Sequence, residues 1–390
     1  MEIREILLVG PKTLKESKYE LNKIKSHDVL VKVAVCGVCP TEFPVYEGLT
    51  IGKPGVSFRY NKYPCFLGHE VSGVVIDVGK KVKTISIGDR VSGIPYTRSG
   101  FSTHVVEHEK YWRRINESIN IEYALGEPVL CVENIINRSQ PTPNSKIAII
   151  GDGFISFLII SSLISMGIRN IILIGHHDSR LKIGKTIGAD ITINSNKEDP
   201  YWVIRNHIGE NLEGESEPWL LGLDIVIDTT GSMSALQLGA SLLKPKQRAK
   251  LVLTGFYSEE PFSLGHYLVN RGPEIVVAFP SQSLDIQTDL NIAMNKMNRN
   301  IYPMEKLVSH AFSFNNINDA FRMAKERENG YVKGVFCPDF DVLKENNKEV
   351  IYQRYVYNVK NFWGADAVFM TDVLQWLASF KPVVLEESKI

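Results

Sequence analysis

The stretch KIAIIGDGFISFLIISSLISMGIRNIILIG, residues 146–175, constrains the fold of this chain more than any other segment. A β-branched run leads to two glycines, a long apolar helix-like segment follows, and a second β-branched run ends the stretch. This order is that of a βαβ unit, in which a helix joins two parallel strands. DIVIDTTG and KLVLTG follow as further continuous apolar runs, which are typical of a parallel sheet covered on both faces. The stretch therefore predicts an α/β protein with a doubly wound parallel sheet.

Changes in sequence pattern divide the chain into three parts. Residues 1–143 are β-rich, with alternating runs such as DVLVKVAV, and the Pro-rich segment QPTPNS marks their end. The parallel-sheet domain is predicted over residues 144–284. A helical pattern returns over 285–390, which we expect to rejoin the first domain and to carry an atypical, aromatic-rich extension from about residue 339. A chain of 390 residues is long enough for two such domains.

Composition excludes several classes of partner. Lys plus Arg equals Asp plus Glu, at 44 each, so no overall charge favours nucleic acid or anionic lipid. The longest apolar stretch has about 15 residues, whereas a membrane-spanning helix needs roughly 20. The N-terminal MEIREILLVG lacks the pattern of a signal peptide, and an odd number of cysteines, five, indicates reduced thiols. We therefore predict a cytoplasmic protein without a membrane or nucleic-acid partner.

The segment PCFLGHEVSGVV, residues 64–75, puts His69 and Glu70 side by side within an apolar, strand-like run. Cys39 in CGVCPTEF and Glu127 in ALGEPVLC are further candidates. Glu127 is notable because burial of a lone carboxylate in an apolar stretch is costly. A thiolate, an imidazole and carboxylates are suitable zinc ligands. Two interpretations remain open from these residues alone: a metal site formed by the four, or a buried His–Glu pair with unrelated neighbours.

The stretch GHEVSGVVIDVGKKV, residues 68–82, matches the pattern G-H-E-x2-G-x5-G-x2-V in full. In this signature the chain resembles the zinc-containing medium-chain dehydrogenases, the alcohol and polyol dehydrogenase superfamily. CGVCPTE, GDRV, EPVLC, DIVIDTTG and VSHAFSF extend the likeness, in the family's order, from about residue 5 to about 338. The resemblance implies a β-rich GroES-like catalytic domain plus a Rossmann domain with a doubly wound parallel sheet.

The resemblance also implies a metal site. Cys39, His69 and Glu127 match the positions where the family holds its catalytic zinc, and Glu70 matches a second-shell or exchanging carboxylate. The glutamate in EPVLC makes the chain similar to the polyol, sorbitol and sugar dehydrogenase branch. The family's structural zinc needs four cysteines after GDRV, and the stretch SGIPYTRSGFSTHVV has none. We therefore expect one zinc per chain.

Thr41 matches the hydroxyl that relays the alcohol proton in the family. Many relatives have a histidine three residues further on, which passes the proton to solvent, but this chain has Pro44 there. Glu42, Tyr46, Glu47 or water are the expected substitutes. The catalytic residues predicted beside the metal are thus Thr41 and Glu70.

The glycine-rich stretch GDGFIS, residues 151–156, lies between a strand-like and a helix-like run. Gly151 allows a tight turn, and Gly153 lets backbone N–H groups approach a pyrophosphate at the helix N-terminus. The resemblance extends the expected dinucleotide contacts to the following set: Gly151, Gly153, Phe154, Ile155, Gly175, His176, His177, Arg180, Thr230 and Gly255.

The end of the second strand, IILIGHHDSR, indicates which dinucleotide is bound. NAD-type sites place an acid at the strand tip, where it accepts from the ribose hydroxyls. Gly175 replaces that acid, and His176, His177 and Arg180 follow as donors that suit a 2′-phosphate. We therefore predict that NADP is preferred over NAD, that the preference weakens as histidines lose their charge with rising pH, and that Gly175→Asp shifts it toward NAD.

The function expected from the resemblance is reversible hydride transfer between a secondary alcohol, such as a polyol, sugar or cyclitol, and NAD(P), with ketone reduction as the reverse reaction. The alternatives are a zinc-dependent amino-alcohol dehydrogenase of the threonine type and a non-catalytic binding protein that retains the fold. Metal-free quinone or enoyl reductases lack these ligands. Polar residues expected to line the substrate cleft are Tyr46, Arg59, Tyr96, Arg98 and His104.

We expect a homodimer or homotetramer, because the family usually pairs subunits through edge strands of the cofactor domain. The aromatic tail exposes too many large apolar groups to remain solvated. It is therefore predicted to pack on the catalytic domain or on a partner subunit, so that removal of residues 345–390 changes stability, assembly or activity.

Overall fold

The computed structural model describes residues 1–54, 56–209, 222–245, 248–255, 257, 264–280, 283–327 and 330–339. The predicted packing of the tail, residues 345–390, lies outside this set. Within it, no helix is both long enough and apolar enough to cross a membrane.

The chain forms two compact units. One comprises Met1–Glu127 and the described residues from Met294 onward, and the other is Pro128–Ala293. The first boundary between the units falls inside helix α2, Gly126–Ser139, which ends just before the QPTPNS segment.

Most strands of the first unit form a mixed sheet in the order β14-β15-β3-β4-β5-β7, with β6 paired to β3, while β1 and β2 form an antiparallel hairpin. Its strands are β1 Glu2–Gly10, β2 Thr13–Glu20, β3 Asp28–Gly37, β4 Glu70–Val78, β5 Arg90–Gly93, β6 His104–His108, β7 Trp112–Arg114, β14 Val308–Phe312 and β15 Lys333–Phe336. Its short helices are α1 Phe43–Tyr46, α9 Met304–Leu307 and α10 Ile317–Glu326. The last strand of the described chain thus lies beside one of the first.

The alternating valines of β3 explain its central place in this sheet. Val29, Val31 and Val33 are at most 1% exposed, and they pack in a core that includes Phe312 and Phe336. Burial of one such side chain contributes roughly 1.5–3 kcal/mol relative to leaving it exposed. The period-two pattern of the sequence therefore gives a strand with a buried face, as predicted.

The second unit contains a parallel sheet in the order β10-β9-β8-β11-β12-β13. Its strands are β8 Ile147–Ile150, β9 Ile171–Gly175, β10 Ile191–Asn194, β11 Ile225–Asp228, β12 Lys250–Leu253 and β13 Glu274–Val277. Its helices, apart from α2, are α3 Phe154–Ser165, α4 Asp178–Ile187, α5 Pro200–Gly209, α6 Met233–Leu242, α7 Tyr267–Arg271 and α8 Ile286–Asn298, whose last turns lie in the first unit. The predicted doubly wound sheet is confirmed.

The strand order reverses between β8 and β11. From β8 the chain proceeds outward through β9 and β10, then returns to the other side of β8. Ligands of doubly wound sheets bind at the carboxyl ends of the strands at such a switch point. The glycine-rich loop after β8 lies at this place in the sheet.

Candidate metal centre and dinucleotide site

Three of the predicted metal ligands come together in the first unit. Glu70 is the first residue of β4 and His69 precedes it, while Cys39 precedes the short 3₁₀ turn Pro40–Glu42. Each residue contributes one donor atom, and the three atoms lie within 4.8 Å of one another: the thiol sulfur, an imidazole nitrogen and a carboxylate oxygen. A soft sulfur beside a nitrogen and an oxygen suits zinc.

Glu42 orients the imidazole of His69. Its Oε1 lies 2.8 Å from His69 Nδ1 and accepts from the Gly68 N–H at 2.7 Å, and Glu42 is 1% exposed. Nδ1 must carry a proton to donate to this carboxylate, which leaves Nε2 as the metal-facing nitrogen. Burial alone would lower the pKa of His69, but the Glu42 carboxylate reverses the effect and the pKa lies well above its ordinary value. The sequence predicts Glu42 only as a possible proton relay, and its position in the turn that follows Cys39 is the signal that it lies near the metal site.

The thiol of Cys39 lies 3.1 Å from the hydroxyl of Thr41, so the predicted relay hydroxyl is beside the candidate metal centre. Burial raises the pKa of the Cys39 thiol, and the nearby Glu70 carboxylate raises it further. A divalent cation reverses this preference, since a coordinating thiol is deprotonated outright. The donor set is thus chemically suited to hold a cation.

Glu70 makes a buried ion pair with Lys333 of β15. Lys333 Nζ lies 2.7 Å from Oε1 and 2.6 Å from Oε2 of Glu70, and it donates to the Val38 carbonyl at 3.0 Å. Burial would lower the pKa of Lys333, but the Glu70 carboxylate keeps it above its ordinary range. A Cβ on Gly37, which pairs with Glu70 across β3 and β4, would lie 1.9 Å from Oε2. The glycine therefore makes room for this carboxylate.

Glu127 lies in the first turn of α2 and is 8% exposed. It is not in the group of donor atoms that the described residues bring within 4.8 Å, which comprises Cys39, His69 and Glu70. The structure therefore brings three of the four predicted metal ligands together.

His310 of β14 is a buried histidine in the same unit. Its ring stacks on Tyr331, with the ring centroids 5.1 Å apart, and its Nδ1 lies 2.7 Å from Ser309 Oγ. Burial holds the pKa of His310 well below its ordinary value, so the folded protein keeps the imidazole neutral.

This burial predicts a loss of stability in mild acid. The unfolded chain takes up a proton near pH 6.5 that the folded chain excludes, so the stability is fully present above about pH 6.5 and falls below it, by up to about 1.4 kcal/mol per pH unit. His310→Phe should remove this contribution, as measured by urea unfolding from pH 5 to 8. His207→Asn, at an exposed position, should keep the wild-type profile. Equal pH profiles for His310→Phe and wild type would contradict the assignment.

The glycine loop after β8 has the conformation that a dinucleotide site requires. Gly151 has a φ of +114°, and a Cβ there would lie 2.3 Å from Thr229 Oγ1, so the turn needs glycine. Gly153 caps α3, and a Cβ there would meet no atom within 4 Å. Phe154 and Ile155 form the first turn of that helix. The helix N-terminus is thus open beside Gly153, as an anion site needs.

Asp152, between the two glycines, connects the loop to the tip of β9. Its Oδ2 accepts from the backbone N–H groups of His176 and His177, both at 2.9 Å, and lies 2.8 Å from His177 Nδ1. The side chain is 2% exposed. Although burial raises the pKa of Asp152, these hydrogen bonds and the Arg180 charge lower it below its ordinary value. The role of Asp152 is not predicted from the sequence, because it depends on contacts with residues more than 20 positions away.

The predicted cofactor residues at the strand tip differ in exposure. Gly175 is buried, His176 and His177 are exposed, and Arg180 is 7% exposed. Arg180 Nη1 donates to the Asp152 carbonyl at 3.3 Å and lies 3.7 Å from Asp152 Oδ1. The two histidines therefore face solvent, while Arg180 supports the loop from within.

Thr230 and Gly255 follow the neighbouring strands β11 and β12. The N–H and hydroxyl of Thr230 donate to Asp228 Oδ1 at 2.8 and 2.7 Å. A Cβ on Gly255 would lie 2.2 Å from the Gly231 nitrogen, so close packing of two turns requires this glycine. Both predicted residues thus lie at the carboxyl edge of the sheet.

Two basic residues expected near a substrate have protein partners instead. Arg59 is 3% exposed and donates to the carbonyls of Pro95 at 2.6 Å and Phe66 at 2.9 Å. Arg98 pairs with the buried carboxylate of Glu5. Arg59 therefore stabilises the segment before GHE by hydrogen bonds to backbone carbonyls, and its guanidinium group is buried.

Two family descriptions match the chain, which together cover more than half of it. Residues 25–114 match the alcohol dehydrogenase GroES-like domain, and residues 155–294 match the zinc-binding dehydrogenase domain. The chain belongs to the zinc-dependent medium-chain dehydrogenase superfamily and is an oxidoreductase of its nicotinamide-linked, alcohol-dehydrogenase type.

Individual proteins of known name are similar over most of their length. The starvation-sensing protein RspB of Escherichia coli K12 is 25% identical over 83% of this chain and 96% of its own. A sorbitol dehydrogenase of Bombyx mori is 25% identical over 82% of this chain and 94% of its own. The crystal structure of the rspB alcohol dehydrogenase of E. coli CFT073, complexed with NADH, has a TM-score of 0.72 and 24% identity, covering 86% of this chain and 99% of that one.

Proposed function

We propose that the protein oxidises a secondary alcohol group of a polyol, sugar or cyclitol, with reduction of the ketone as the reverse reaction. The observation that carries the proposal is the convergence of Cys39, His69 and Glu70 within 4.8 Å, with Glu42 orienting the imidazole. Similarity to a sorbitol dehydrogenase supports the substrate class. An acid in EPVLC, where classical alcohol dehydrogenases use a cysteine, supports it further.

We propose that Cys39, His69 and Glu127 hold one zinc ion and that Glu70 stays beside it, held by Lys333. Zinc, when bound, supplies a Lewis acid that polarises the alcohol hydroxyl group. The chain's own residues then have separate tasks. Glu42 fixes the tautomer of His69. Thr41, whose hydroxyl lies 3.1 Å from the Cys39 sulfur, relays the alcohol proton by giving up its own hydroxyl proton as it accepts the new one.

The onward path of the proton differs from that of relatives with a histidine at position 44. Pro44 has no titratable group, so we propose that the proton leaves Thr41 through water or a neighbouring carboxylate. Glu47 is the more accessible carboxylate of this region, and it forms an ion pair with Lys325. Glu42 is buried and already accepts from Gly68 and His69.

We also propose that NADP is preferred over NAD. Gly175 supplies no carboxylate to repel a 2′-phosphate, and the exposed His176 and His177 lie next to it. Solved structures with the same fold carry either dinucleotide: the rspB alcohol dehydrogenase holds NADH, and a zinc-binding dehydrogenase of Sinorhizobium meliloti holds NADP. The strand-tip residues of this chain therefore carry the proposal.

A purified-protein screen tests both parts of the proposal. Zinc-loaded protein is assayed with polyols, sugars, cyclitols and amino alcohols, each with NAD and with NADP, and kcat/KM is compared. The highest value should belong to a secondary alcohol of the first three classes with NADP. An amino alcohol such as threonine as the best substrate would favour the threonine-type alternative, and zinc-loaded protein without turnover on any alcohol would favour a binding protein.

We propose a cytoplasmic homodimer or homotetramer, assembled through β13. This strand ends the parallel sheet of the described chain, and Ile275 and Val277 on it are 44% and 47% exposed. Leu268 and Val269 of α7 are 43% and 86% exposed. An unpaired edge strand is a template for pairing with a second copy, and exposed apolar side chains mark surfaces of interaction. All five cysteines are thiols rather than disulfides, which fits a reducing compartment.

Charges on β13 should therefore dissociate the assembly. Ile275→Lys/Val277→Lys should run as a monomer in size-exclusion chromatography with light scattering, while its circular dichroism stays that of wild type. Met166→Lys, at a 42% exposed site on the same unit, should keep the wild-type mass. An unchanged mass for the double variant would show that β13 is not the interface.

A further inference from the structure

The glycine loop places a carboxylate next to the strand tip that lacks one. A Cβ added to Gly175 would lie 2.6 Å from Asp152 Cβ and 2.7 Å from Asp152 Oδ2. Such approaches are shorter than van der Waals contact allows, and Asp152 is held in place by its hydrogen bonds to His176 and His177. Asp152 therefore occupies the space that a side chain at position 175 would need.

This carboxylate is not available to a ribose hydroxyl. Oδ2 already accepts from two backbone N–H groups and from His177 Nδ1, and the side chain is 2% exposed. An acid at the strand tip of an NAD-type site accepts from the ribose instead. Asp152 thus occupies the space of that acid but does not accept a hydrogen bond from the ribose.

Asp152 also determines which nitrogen of His177 meets a ligand. An ionised carboxylate only accepts hydrogen bonds, so His177 Nδ1 carries a proton in both charge states. Nε2 then accepts when the ring is neutral and donates when the ring is charged. The His177 side chain is 45% exposed, so the ring is accessible from solvent.

We propose that Asp152 is the residue that sets cofactor choice: it excludes an acid from position 175 and presents His177 Nε2 to the 2′ substituent of the ribose. The proposal rests on the NADP preference proposed above and names its cause. A charged His177 donates to a 2′-phosphate, whereas a neutral one only accepts, which suits the 2′-hydroxyl of NAD. The preference for NADP should therefore decrease as the pH rises.

Other charged groups surround His177. Arg180 of α4 faces Asp152, the His176 ring lies 6.4 Å from the His177 ring, and Asp178 is paired with Lys197. Of these, His176 is the other imidazole near the strand tip. Variants must therefore separate the two histidines.

The test is a binding experiment on the zinc-loaded protein. Isothermal titration of 2′,5′-ADP and 5′-AMP at pH 6, 7 and 8 reports the contribution of the 2′-phosphate without turnover. Wild type should bind 2′,5′-ADP about tenfold to hundredfold more tightly at pH 6, the range for a hydrogen bond to a charged group, and the ratio should fall toward pH 8. His177→Asn and Asp152→Asn should both lose this pH dependence, while His207→Asn should keep it.

Nuclear magnetic resonance of ¹⁵N-labelled histidines gives an independent readout. His177, assigned by its loss in His177→Asn, should carry a proton on Nδ1 at pH 8, and Asp152→Asn should alter that tautomer balance. A His177 protonated only on Nε2 would overturn the proposal. So would a pH dependence that disappears in His176→Asn but persists in His177→Asn.

Paired variants test the exclusion of an acid from position 175. The sequence alone predicts that Gly175→Asp shifts the preference toward NAD. The structure changes this expectation: Gly175→Asp alone should bind both nucleotides poorly, because its Cβ overlaps Asp152. Asp152→Gly/Gly175→Asp should instead bind NAD more tightly than NADP. If Gly175→Asp alone turns the preference toward NAD, Asp152 does not control the position.

These outcomes separate the two proposals. A wild type that binds 2′,5′-ADP no more tightly than 5′-AMP contradicts the NADP preference, whatever the variants do. A wild type that prefers 2′,5′-ADP with an Asp152→Asn variant of unchanged ratio and pH dependence leaves the NADP preference intact and overturns the role of Asp152.

Discussion

Replacing Lys333 with methionine should lower the free energy of unfolding of the zinc-free protein by about 3–5 kcal/mol, the usual cost of leaving one partner of a buried ion pair uncompensated. The pair is well buried, with 4% and 2% of the Lys333 and Glu70 side chains exposed. Methionine keeps the length and apolar stem of lysine and removes the charge. Urea unfolding in the presence of a chelator measures the change.

The matched control is Glu70→Gln/Lys333→Met, which removes both charges. Its loss of stability should be clearly smaller than that of Lys333→Met, because no unpaired carboxylate remains beside Gly37. Equal losses for the single and double variants would mean that packing, rather than charge, makes Lys333 important.

Replacing Cys39 with serine should abolish zinc binding and turnover. Serine offers a hydroxyl in place of the soft thiolate that zinc prefers. Elemental analysis should find about one zinc per chain in wild type and essentially none in Cys39→Ser. Cys131→Ser, at a partly exposed cysteine of α2, should retain both zinc and activity.

Three further variants measure how much each carboxylate of the proposed metal centre contributes to zinc binding. Glu42→Gln should weaken zinc binding or activity by about 10–100-fold, which is typical of partners that orient a ligand. Glu127→Gln should lose zinc if Glu127 is the third ligand, whereas Glu70→Gln should lose it if Glu70 takes that place. An active metal-free protein, or about two zinc ions per chain, would contradict the proposed metal centre.

The parts of the fold that could be predicted are those determined by the local pattern of apolar residues. The run before Gly151 predicts a buried strand, and the following apolar segment predicts the helix that begins at Phe154. The valines of β3 predict a strand with a buried face. These features depend on residues within about ten positions of one another, so a single sequence contains them.

Contacts between distant segments could not be predicted in this way. Lys333 meets Glu70 because the register of β15 on β3 and of β3 on β4 brings their ends together at Gly37. Asp152 meets His177 because parallel strands end at the same edge of a sheet. The hydrogen-bonded burial of Arg59, which the sequence predicts in the substrate cleft, depends in the same way on a carbonyl of a separate loop.

The position of β15 also affects the order in which the chain acquires its structure during synthesis. β3 pairs with β15, and within the described residues Glu70 forms its ion pair with Lys333, near their C-terminal end. The strands of the parallel sheet, by contrast, all lie between Ile147 and Val277. Domains generally fold as units while the ribosome is still translating. The parallel sheet can therefore form first, whereas the mixed sheet of the first unit, which begins with β3, is completed only after β15 has left the ribosome.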